Sequence, residues 1–590
     1  MRWPSIVALA LLILTMRAHA DMNLAELYTH AERTDYQETG RYDEVQVLCH
    51  AYASRWPDAR CIQFGVSPER RPLLALVVTR AGSFDPAELR RRNVPVLCLQ
   101  GGIHPGESDG KDAGFQVLRE LLAASPSTED PLKHMAILFV PVFNADGHER
   151  FGSWNRPNQV GPKEMGWRTT AQNLNLNRDY MKADAPEMRS MLELLTDWDP
   201  IVYADLHVTD GANFEHDVSV QVEPIHEGAA SLFEAGRALR DAVLENLTRN
   251  GSLPLPFYPS LVVEDDPASG FAESAYLPRF STGYWALRNR FSVLVETHSW
   301  KNYATRVRVT ANTIRALVQL VSTRGRSWRE LAAQADRDAS RLGGAALALN
   351  HEAGLQVSMI DFRGYAYSRS PSPISGRLVT RYDPSQPAIW HVPYRNSIVP
   401  SFTVTLPRAG YWVPAGYAVE LVPRLNAHGV AFKTLDVSRV ESVSVFRATK
   451  VLFSPSPNEG RTPIDHLEGG WHSEEREIPA GSLWVPIAQP KARLVAALME
   501  PQAPDSFASW GFFNSVFERK EYVEPYVAEE FAAQMLQRDP ALAREFNDRL
   551  ANDETFASDG RARLDFFYQR HPSWDERWNL VPVYRSDAPS

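Results

Sequence analysis

Hydrophobic residues between about 40 and 340 alternate between short apolar runs and segments with helical spacing. Five runs have the length of buried strands: 73–78, 94–99, 135–143, 201–206 and 291–295. Three segments place apolar residues three and four positions apart, as amphipathic helices do: 109–124, 185–196 and 226–250. This alternation predicts an α/β domain with a mixed, largely parallel sheet flanked by helices.

The pattern changes after about residue 345. Short alternating runs such as 401–406 and 417–422 are punctuated by Pro and Gly, which predicts β structure. From about 491 the chain becomes helix-rich, for example at 527–536. We therefore predict three regions: an α/β domain at 21–344, a β-rich accessory domain at 345–490 and a helix-rich C-terminal region at 491–590.

The first 20 residues have the pattern of a signal peptide. Arg2 precedes an unbroken apolar run at 6–14, and Ala18-His19-Ala20 fits a cleavage site with small residues. The run is much shorter than the roughly 20 apolar residues that a membrane-spanning helix needs. We predict a cleaved signal peptide at 1–20, a secreted or periplasmic protein, and no membrane insertion.

Composition narrows the possible partners and the redox chemistry. The 590 residues are 44% hydrophobic and 23% charged, as in globular proteins, and the net charge of −10 disfavours nucleic acid as a partner. Nothing in the pattern predicts the oligomeric state. Three cysteines are too few for a disulfide scaffold, although Cys49 and Cys61 could form one bridge in an exported protein. Cys98 lies in an apolar run and is expected to be a buried thiol.

Polar residues follow the ends of several predicted strands. His104 and Glu107 lie in the Gly- and Pro-rich segment 101–108, and His207 and Glu296 end two later strands. Active sites of open α/β sheets lie at the carboxyl ends of strands. Two imidazoles and one carboxylate would leave one coordination position open, which is typical of a catalytic zinc site. We predict one Zn²⁺ ion, bound by His104, Glu107 and His207.

The order of the motifs resembles a known family. The motifs are His104-Pro105-Gly106-Glu107, Asn144-Ala145-Asp146-Gly147, Leu176-Asn177-Arg178, a strand-end His and a strand-end Glu. Together they resemble the zinc carboxypeptidases related to carboxypeptidase A, over residues about 25 to 325. The segment at 64–73 also resembles the family's Gly-x-Ser-x-Glu-Gly-Arg stretch, with Arg70 in place of the second glycine.

The resemblance implies roles for the polar residues that it covers. His104, Glu107 and His207 match the zinc ligands, and Asn177 and Arg178 match the pair that binds the substrate's terminal carboxylate. A guanidinium can hold a carboxylate with two parallel hydrogen bonds, which fits this role. Arg168 matches the arginine that stabilises the oxyanion, and Arg156 is a rival for that role.

The resemblance also implies a general base and a substrate-side tyrosine. Glu296 matches the base, which takes a proton from the attacking water. Tyr284 is a weaker match to the tyrosine, and Tyr276 is an equal rival. Asn175 occupies a position where the family commonly has an aspartate that holds a zinc histidine. An amide accepts a hydrogen bond without charge, so the histidine would be less basic unless Asp205 or Asp210 substitutes.

We predict a metallocarboxypeptidase that hydrolyses the C-terminal peptide bond of peptides with a free C-terminal carboxylate. A zinc amidase or deacylase acting on cell-wall peptides or acylated amino acids is an alternative, because such substrates also carry carboxylates. A catalytically inert envelope binding protein is another. By analogy with some relatives, the β-rich region is expected to dock on the catalytic domain and shape access to the cleft.

Overall fold

A computed structural model describes residues 27–589, so the predicted signal peptide lies outside the described residues. The N-terminal half is built on an eight-stranded sheet. Its strands are β1 Ala59–Val66, β2 Pro72–Thr79, β3 Val96–Gln100, β4 Ala136–Val140, β5 Val202–Val208, β6 Val218–Glu223, β7 Pro254–Leu255 and β9 Phe291–Thr297. Their order is β1-β2-β4-β3-β5-β9-β6-β7, and β4, β3, β5 and β9 are parallel. The predicted mixed α/β sheet is confirmed.

Helices cover both faces of this sheet. They are α1 His30–Arg33, α2 Tyr42–Arg55, α3 Pro86–Arg91, α4 Asp109–Ala123, α5 Ala145–Glu149, α6 Pro186–Trp198, α7 Phe233–Arg249, α8 Ser281–Leu287 and α9 Tyr303–Ala339. Alternate residues of a strand point to opposite faces. Leu97 and Leu99 accordingly pack in a core with α2, α4, α7 and α9, whereas Val96 and Cys98 pack in a second core with α6 and α8.

The helix predicted at 226–250 starts later than expected, at Phe233. The backbone N–H groups of His226 and Glu227 donate to the Glu223 side chain instead of starting a helix. Gly228 has a φ of +85°, which turns the chain before a short 3-10 turn at Ala230–Leu232. The side chain of Glu223 thus delays the helix by satisfying backbone donors locally.

The C-terminal half is rich in β structure. Its strands are β10 Ala346–Ala353, β11 Val357–Pro371, β12 Leu378–Arg395, β13 Ile398–Thr405, β14 Gly410–Val413, β15 Lys433–Thr434, β16 Arg439–Phe453, β17 Ile464–Ile478, β18 Leu483–Pro486 and β19 Leu580–Ser586. Six of them form a sheet in the order β15-β18-β14-β19-β16-β17. This sheet draws β19 from beyond residue 490, and the predicted domain boundaries stay a prediction.

Six α-helices lie in the C-terminal half as far as residue 589: α10 Ala415–Ala427, α11 Ala492–Met499, α12 Pro525–Arg538, α13 Pro540–Asn552, α14 Glu554–Ser558 and α15 Gly560–Tyr568. The prediction of a strand at 417–422 is wrong, because that run lies in α10. Ala418, Leu421 and Leu425 of α10 are buried. Their spacing of three and four residues places them on one helical face. Burial of this face stabilises a helix where the short alternation of apolar residues predicted a strand.

The two halves share one core. The second core, beneath α6 and α8, continues into Tyr411, Val485, Leu494 and Phe512 of the C-terminal half. A short strand, β8 Phe271–Ala272, also pairs in parallel with the end of β12. The C-terminal half therefore covers one face of the N-terminal sheet.

The structure contains the disulfide that the sequence allowed and the buried thiol that it predicted. Cys49 and Cys61 form a disulfide that ties α2 to β1. Cys98 is a buried free thiol. Within residues 27–589, no helix is long and apolar enough to span a bilayer.

Candidate functional site

Three neighbouring parallel strands place the predicted site residues at one edge of the sheet. β3 is followed by Gly101 and Gly102. Gly102 has a φ of +61°, and a Cβ atom at this position would lie only 3.1 Å from the Cα of Val142. This turn directs the following His104 back across the strand ends. On β5 and β9, His207 and Glu296 are direct neighbours in the parallel register. Side chains at paired positions point to the same face, so Glu296 lies beside His207.

His104, Glu107 and His207 converge on one point. The Glu107 carboxylate lies 2.9 Å from Nδ1 of His104 through one oxygen and 2.9 Å from Nδ1 of His207 through the other. The ligand atoms of the three residues lie within 4.8 Å of one another, and all three side chains are buried. Two imidazole nitrogens and a carboxylate oxygen form a donor set that fits zinc, with room for a fourth ligand.

A polar side chain lies beside the Nε2 atom of each imidazole. Nε2 of His104 lies 3.2 Å from Oδ1 of Asn175, and Nε2 of His207 lies 2.9 Å from Oδ1 of Asp205. Gln100 and Ser281 donate to the Asp205 carboxylate over 2.8 Å and 2.6 Å. Asp205 therefore supports His207, and Asn175 itself supports His104. These contacts leave the Nδ1 atoms of both rings facing the shared point.

Arg156 compensates the charge of Glu107. One of its terminal nitrogens lies 2.7 Å from the Glu107 carboxylate, and another donates to the backbone oxygen of Val208 over 3.2 Å. Burial alone would raise the pKa of Glu107, but Arg156 and the imidazoles hold it well below its usual value. Burial lowers the pKa of His104 to about 4, so its ring is neutral. Burial alone would also lower the pKa of His207, but the two carboxylates beside it raise that pKa well above its usual value, so His207 must release a proton to bind a cation.

A cleft of about 440 Å³ opens over these residues. It brings together nearly all the predicted site residues: His104, Glu107, Arg156, Arg168, Asn177, Arg178, His207 and Glu296. Burial raises the pKa of Glu296 to about 8, with Glu107, Asp205 and Asp210 adding to the effect and His207 opposing it. A divalent cation at the shared point would lower that pKa again.

Asn177 and Arg178 lie on the cleft wall, in the 3-10 turn Leu176–Arg178. Oδ1 of Asn175 caps this turn by accepting the Asn177 N–H over 3.0 Å. The Arg178 guanidinium lies 4.5 Å from the centre of the Phe280 ring and donates to the backbone oxygen of Asn177. Burial lowers the pKa of Arg178, and the nearby Arg168 lowers it further. Within the described part of the chain, neither arginine forms an ion pair.

Tyr284 does not line the cleft, so the prediction of a substrate contact by this residue is wrong. It is fully buried on α8, and its hydroxyl shares a 2.9 Å hydrogen bond with Nδ1 of His428 in the C-terminal half. α8 is buried on all sides, so Tyr284 belongs to the core shared by the two halves. Its rival Tyr276 does line the cleft, together with Tyr258.

Two other family-like motifs stabilise each other away from the cleft. The buried Asp146 carboxylate accepts hydrogen bonds from the Ser67 hydroxyl, the Glu69 N–H and the Arg71 guanidinium, over 2.6 to 3.0 Å. Arg70, at the position of the family's glycine, has a φ of +68°. This left-handed conformation costs a non-glycine residue roughly 1 kcal/mol, and the Asp146 contacts hold it in place.

The chain is similar in sequence to known zinc carboxypeptidases. Residues 45–248 match the family model of zinc carboxypeptidases, Peptidase M14. Carboxypeptidase 2 from Trichophyton rubrum is 25% identical over 468 residues, which cover 75% of this chain and 77% of the relative. Carboxypeptidase 2 from Trichophyton equinum is 24% identical over 465 residues, with the same coverage.

Solved structures resemble only part of the chain. A metallo-carboxypeptidase from Burkholderia cenocepacia is 17% identical, with 48% of this chain and 69% of that chain covered and a TM-score of 0.34. A metallo-carboxypeptidase from Pseudomonas aeruginosa is 15% identical, with 48% and 69% covered and a TM-score of 0.36.

Proposed function

Residues 45–248 match the zinc carboxypeptidase family, and from this premise we propose that the protein releases the last residue of peptides with a free C-terminal carboxylate. One observation carries the proposal. Asn177 and Arg178, whose donors can hold a carboxylate, line the same cleft as the His104–Glu107–His207 cluster and Glu296. A carboxylate bound there would place the adjacent peptide bond within the cleft that holds the base.

Each polar residue of the cleft has a proposed role in the hydrolysis. Zinc, held by His104, Glu107 and His207, would supply a Lewis acid that polarises the carbonyl and lowers the pKa of water. Glu296 accepts a proton from the attacking water and later delivers it to the leaving amine. Arg168 stabilises the negative charge that develops on the carbonyl oxygen. Asn177 and Arg178 bind the terminal carboxylate, so the reaction is confined to the last peptide bond.

The proposal includes export from the cytoplasm. The signal-like sequence at 1–20 supports a secreted or periplasmic location. The Cys49–Cys61 disulfide supports it too, because disulfides persist in oxidising compartments.

Replacing Arg178 by glutamine is expected to raise KM for a free-ended peptide by about 10²-fold, because a charge-assisted hydrogen-bond pair to the carboxylate is lost. Steady-state kinetics with a peptide and its C-terminal amide would measure this effect. The wild-type protein should strongly prefer the free acid, and the variant should lose most of that preference. Arg249→Gln, on the exposed end of α7, is the matched control. Equal cleavage of acid and amide by the wild-type protein would favour the amidase alternative.

Uncharged C-terminal residues should be preferred over acidic ones. The cleft wall at 274–282 contributes uncharged side chains: Ser274, Ala275, Tyr276, Leu277, Phe280, Ser281 and Thr282. Asp210 also lines the cleft and carries a carboxyl group, whereas Arg279 is engaged by Asp505 and lies against Trp510. Because Asp210 would repel a second carboxylate, peptides ending in Leu or Phe should have kcat/KM values at least about tenfold above those ending in Glu. Peptides that differ only in the last residue would test this, and a preference for Glu would contradict it.

A further inference from the structure

A hairpin of the C-terminal half reaches the loop that carries Asn177 and Arg178. Strands β16 and β17 form this hairpin, and its tip at 454–463 is closed by backbone hydrogen bonds between Asn458 and Arg461. Glu459 at the tip has a φ of +50°. Its carboxylate accepts the backbone N–H of Asn175 over 2.7 Å. The hairpin tip therefore contacts the N-terminal half at Asn175. This residue directly precedes the turn Leu176–Arg178, which we call the carboxylate-binding turn.

Asn175 is the junction between the imidazole cluster and that turn. Its side-chain oxygen lies 3.2 Å from Nε2 of His104 and accepts the Asn177 N–H over 3.0 Å. A displacement of the Asn175 backbone would therefore move the turn Leu176–Arg178. Glu459 also places a negative charge close enough to Arg178 to oppose the effect of Arg168 on its pKa.

A second contact keeps the hairpin tip from moving freely. Arg461 donates to both oxygens of Asp184 over 2.6 and 2.8 Å, and Arg424 of α10 donates to the same carboxylate over 2.6 Å. The Arg461 guanidinium also lies 3.5 Å from the centre of the Phe512 ring. The tip is thus fixed to the segment that follows the carboxylate-binding turn.

We propose that Glu459 is a positioning residue through which the C-terminal half sets the affinity of the cleft for the substrate's terminal carboxylate. The inference rests on the proposed function of Asn177 and Arg178. Glu459 does not line the cleft and contacts the start of the turn through the backbone of Asn175, so its removal affects carboxylate binding more than the chemical step. A small loss of geometry at a binding turn costs affinity, because the bound conformation must then be ordered by the substrate.

Kinetics of three variants test this role. Glu459→Ala should raise KM for a free-ended peptide by about tenfold, the effect of one charge-assisted hydrogen bond, with kcat within about twofold of wild type. Glu459→Gln should restore most of the affinity, because its amide oxygen can accept the same N–H. Glu468→Ala is the control, because Glu468 lies on the same hairpin but is exposed and pairs with Lys450 and His466. An unchanged KM in Glu459→Ala, or a loss shared with Glu468→Ala, would overturn the proposal.

Hydrogen–deuterium exchange provides a readout that does not depend on turnover. The fragment containing the Asn175 amide should exchange faster in Glu459→Ala than in wild type or Glu468→Ala. If exchange is faster in Glu459→Ala but the wild-type protein cleaves no peptide, the proposed function fails while the contact between Glu459 and Asn175 is real. If exchange is unchanged in Glu459→Ala, the contact itself is overturned, whether or not the protein cleaves peptides.

Discussion

Replacing Glu296 by glutamine is expected to lower kcat by about 10³-fold, the scale of positioned acid–base catalysis, while the purified protein keeps its zinc. Glu296 is only 8% exposed and lies beside His207 in the paired strands β9 and β5. Glutamine has nearly the same shape but cannot accept the proton of the attacking water. Turnover of a free-ended peptide and metal analysis of the same sample would measure the two effects separately.

A second buried glutamate gives the matched control for this substitution. Glu187 is buried on α6, does not line the cleft, and its pKa is raised to about 7 by burial. Glu187→Gln should therefore leave kcat unchanged. If Glu296→Gln kept turnover within about tenfold of wild type, which is less than acid–base catalysis supplies, Glu296 would not be the base. A wild-type protein that binds peptides without cleaving them would favour the inert binding protein.

Removing a zinc ligand should have the other large effect. We expect His207→Ala to lose zinc and to lower kcat by at least about 10³-fold, because the Lewis acid contributes several kcal/mol to the barrier. Zinc per chain, measured after gel filtration, and peptide turnover would test both parts. The wild-type protein should hold about one ion, as catalytic sites of this ligand set do.

Two further variants sharpen the test of the ligand. Asp205→Asn keeps His207 but weakens its orienting partner, so zinc affinity should fall by only about 10- to 100-fold. His226→Ala removes a half-buried histidine that pairs with Glu223 outside the cluster, and should keep zinc and turnover. Full zinc occupancy in His207→Ala would show that this residue is not a ligand.

The sequence predicted the parts of the site that lie at strand ends. His104, His207 and Glu296 follow or end apolar runs, and the carboxyl ends of parallel strands must meet at one edge of the sheet. Their convergence therefore follows from the apolar runs that predict the strands and from the parallel arrangement of those strands. The roles assigned to these residues stay proposals.

Residues whose position depends on tertiary packing were harder to predict. Tyr284 and Tyr276 are both aromatic residues near the same loop, and only the packing of α8 against the C-terminal half decides which one reaches the cleft. Glu459 lies 284 positions from Asn175 in the chain, and its turn has no motif. The short alternation of apolar and polar residues at 417–422 also predicted the wrong element. Over the longer segment of α10, the apolar residues have helical spacing.

The place of β19 has a consequence for how the protein is made. β19 lies between β14 and β16, so it joins the two parts of the six-stranded sheet. Because it comprises residues 580–586, this sheet cannot close until those residues have left the ribosome, whereas the N-terminal sheet has all its strands by residue 297. Translation that stops just before residue 580 would leave β14 and β16 with bare edges, and bare strand edges invite aggregation with other nascent chains.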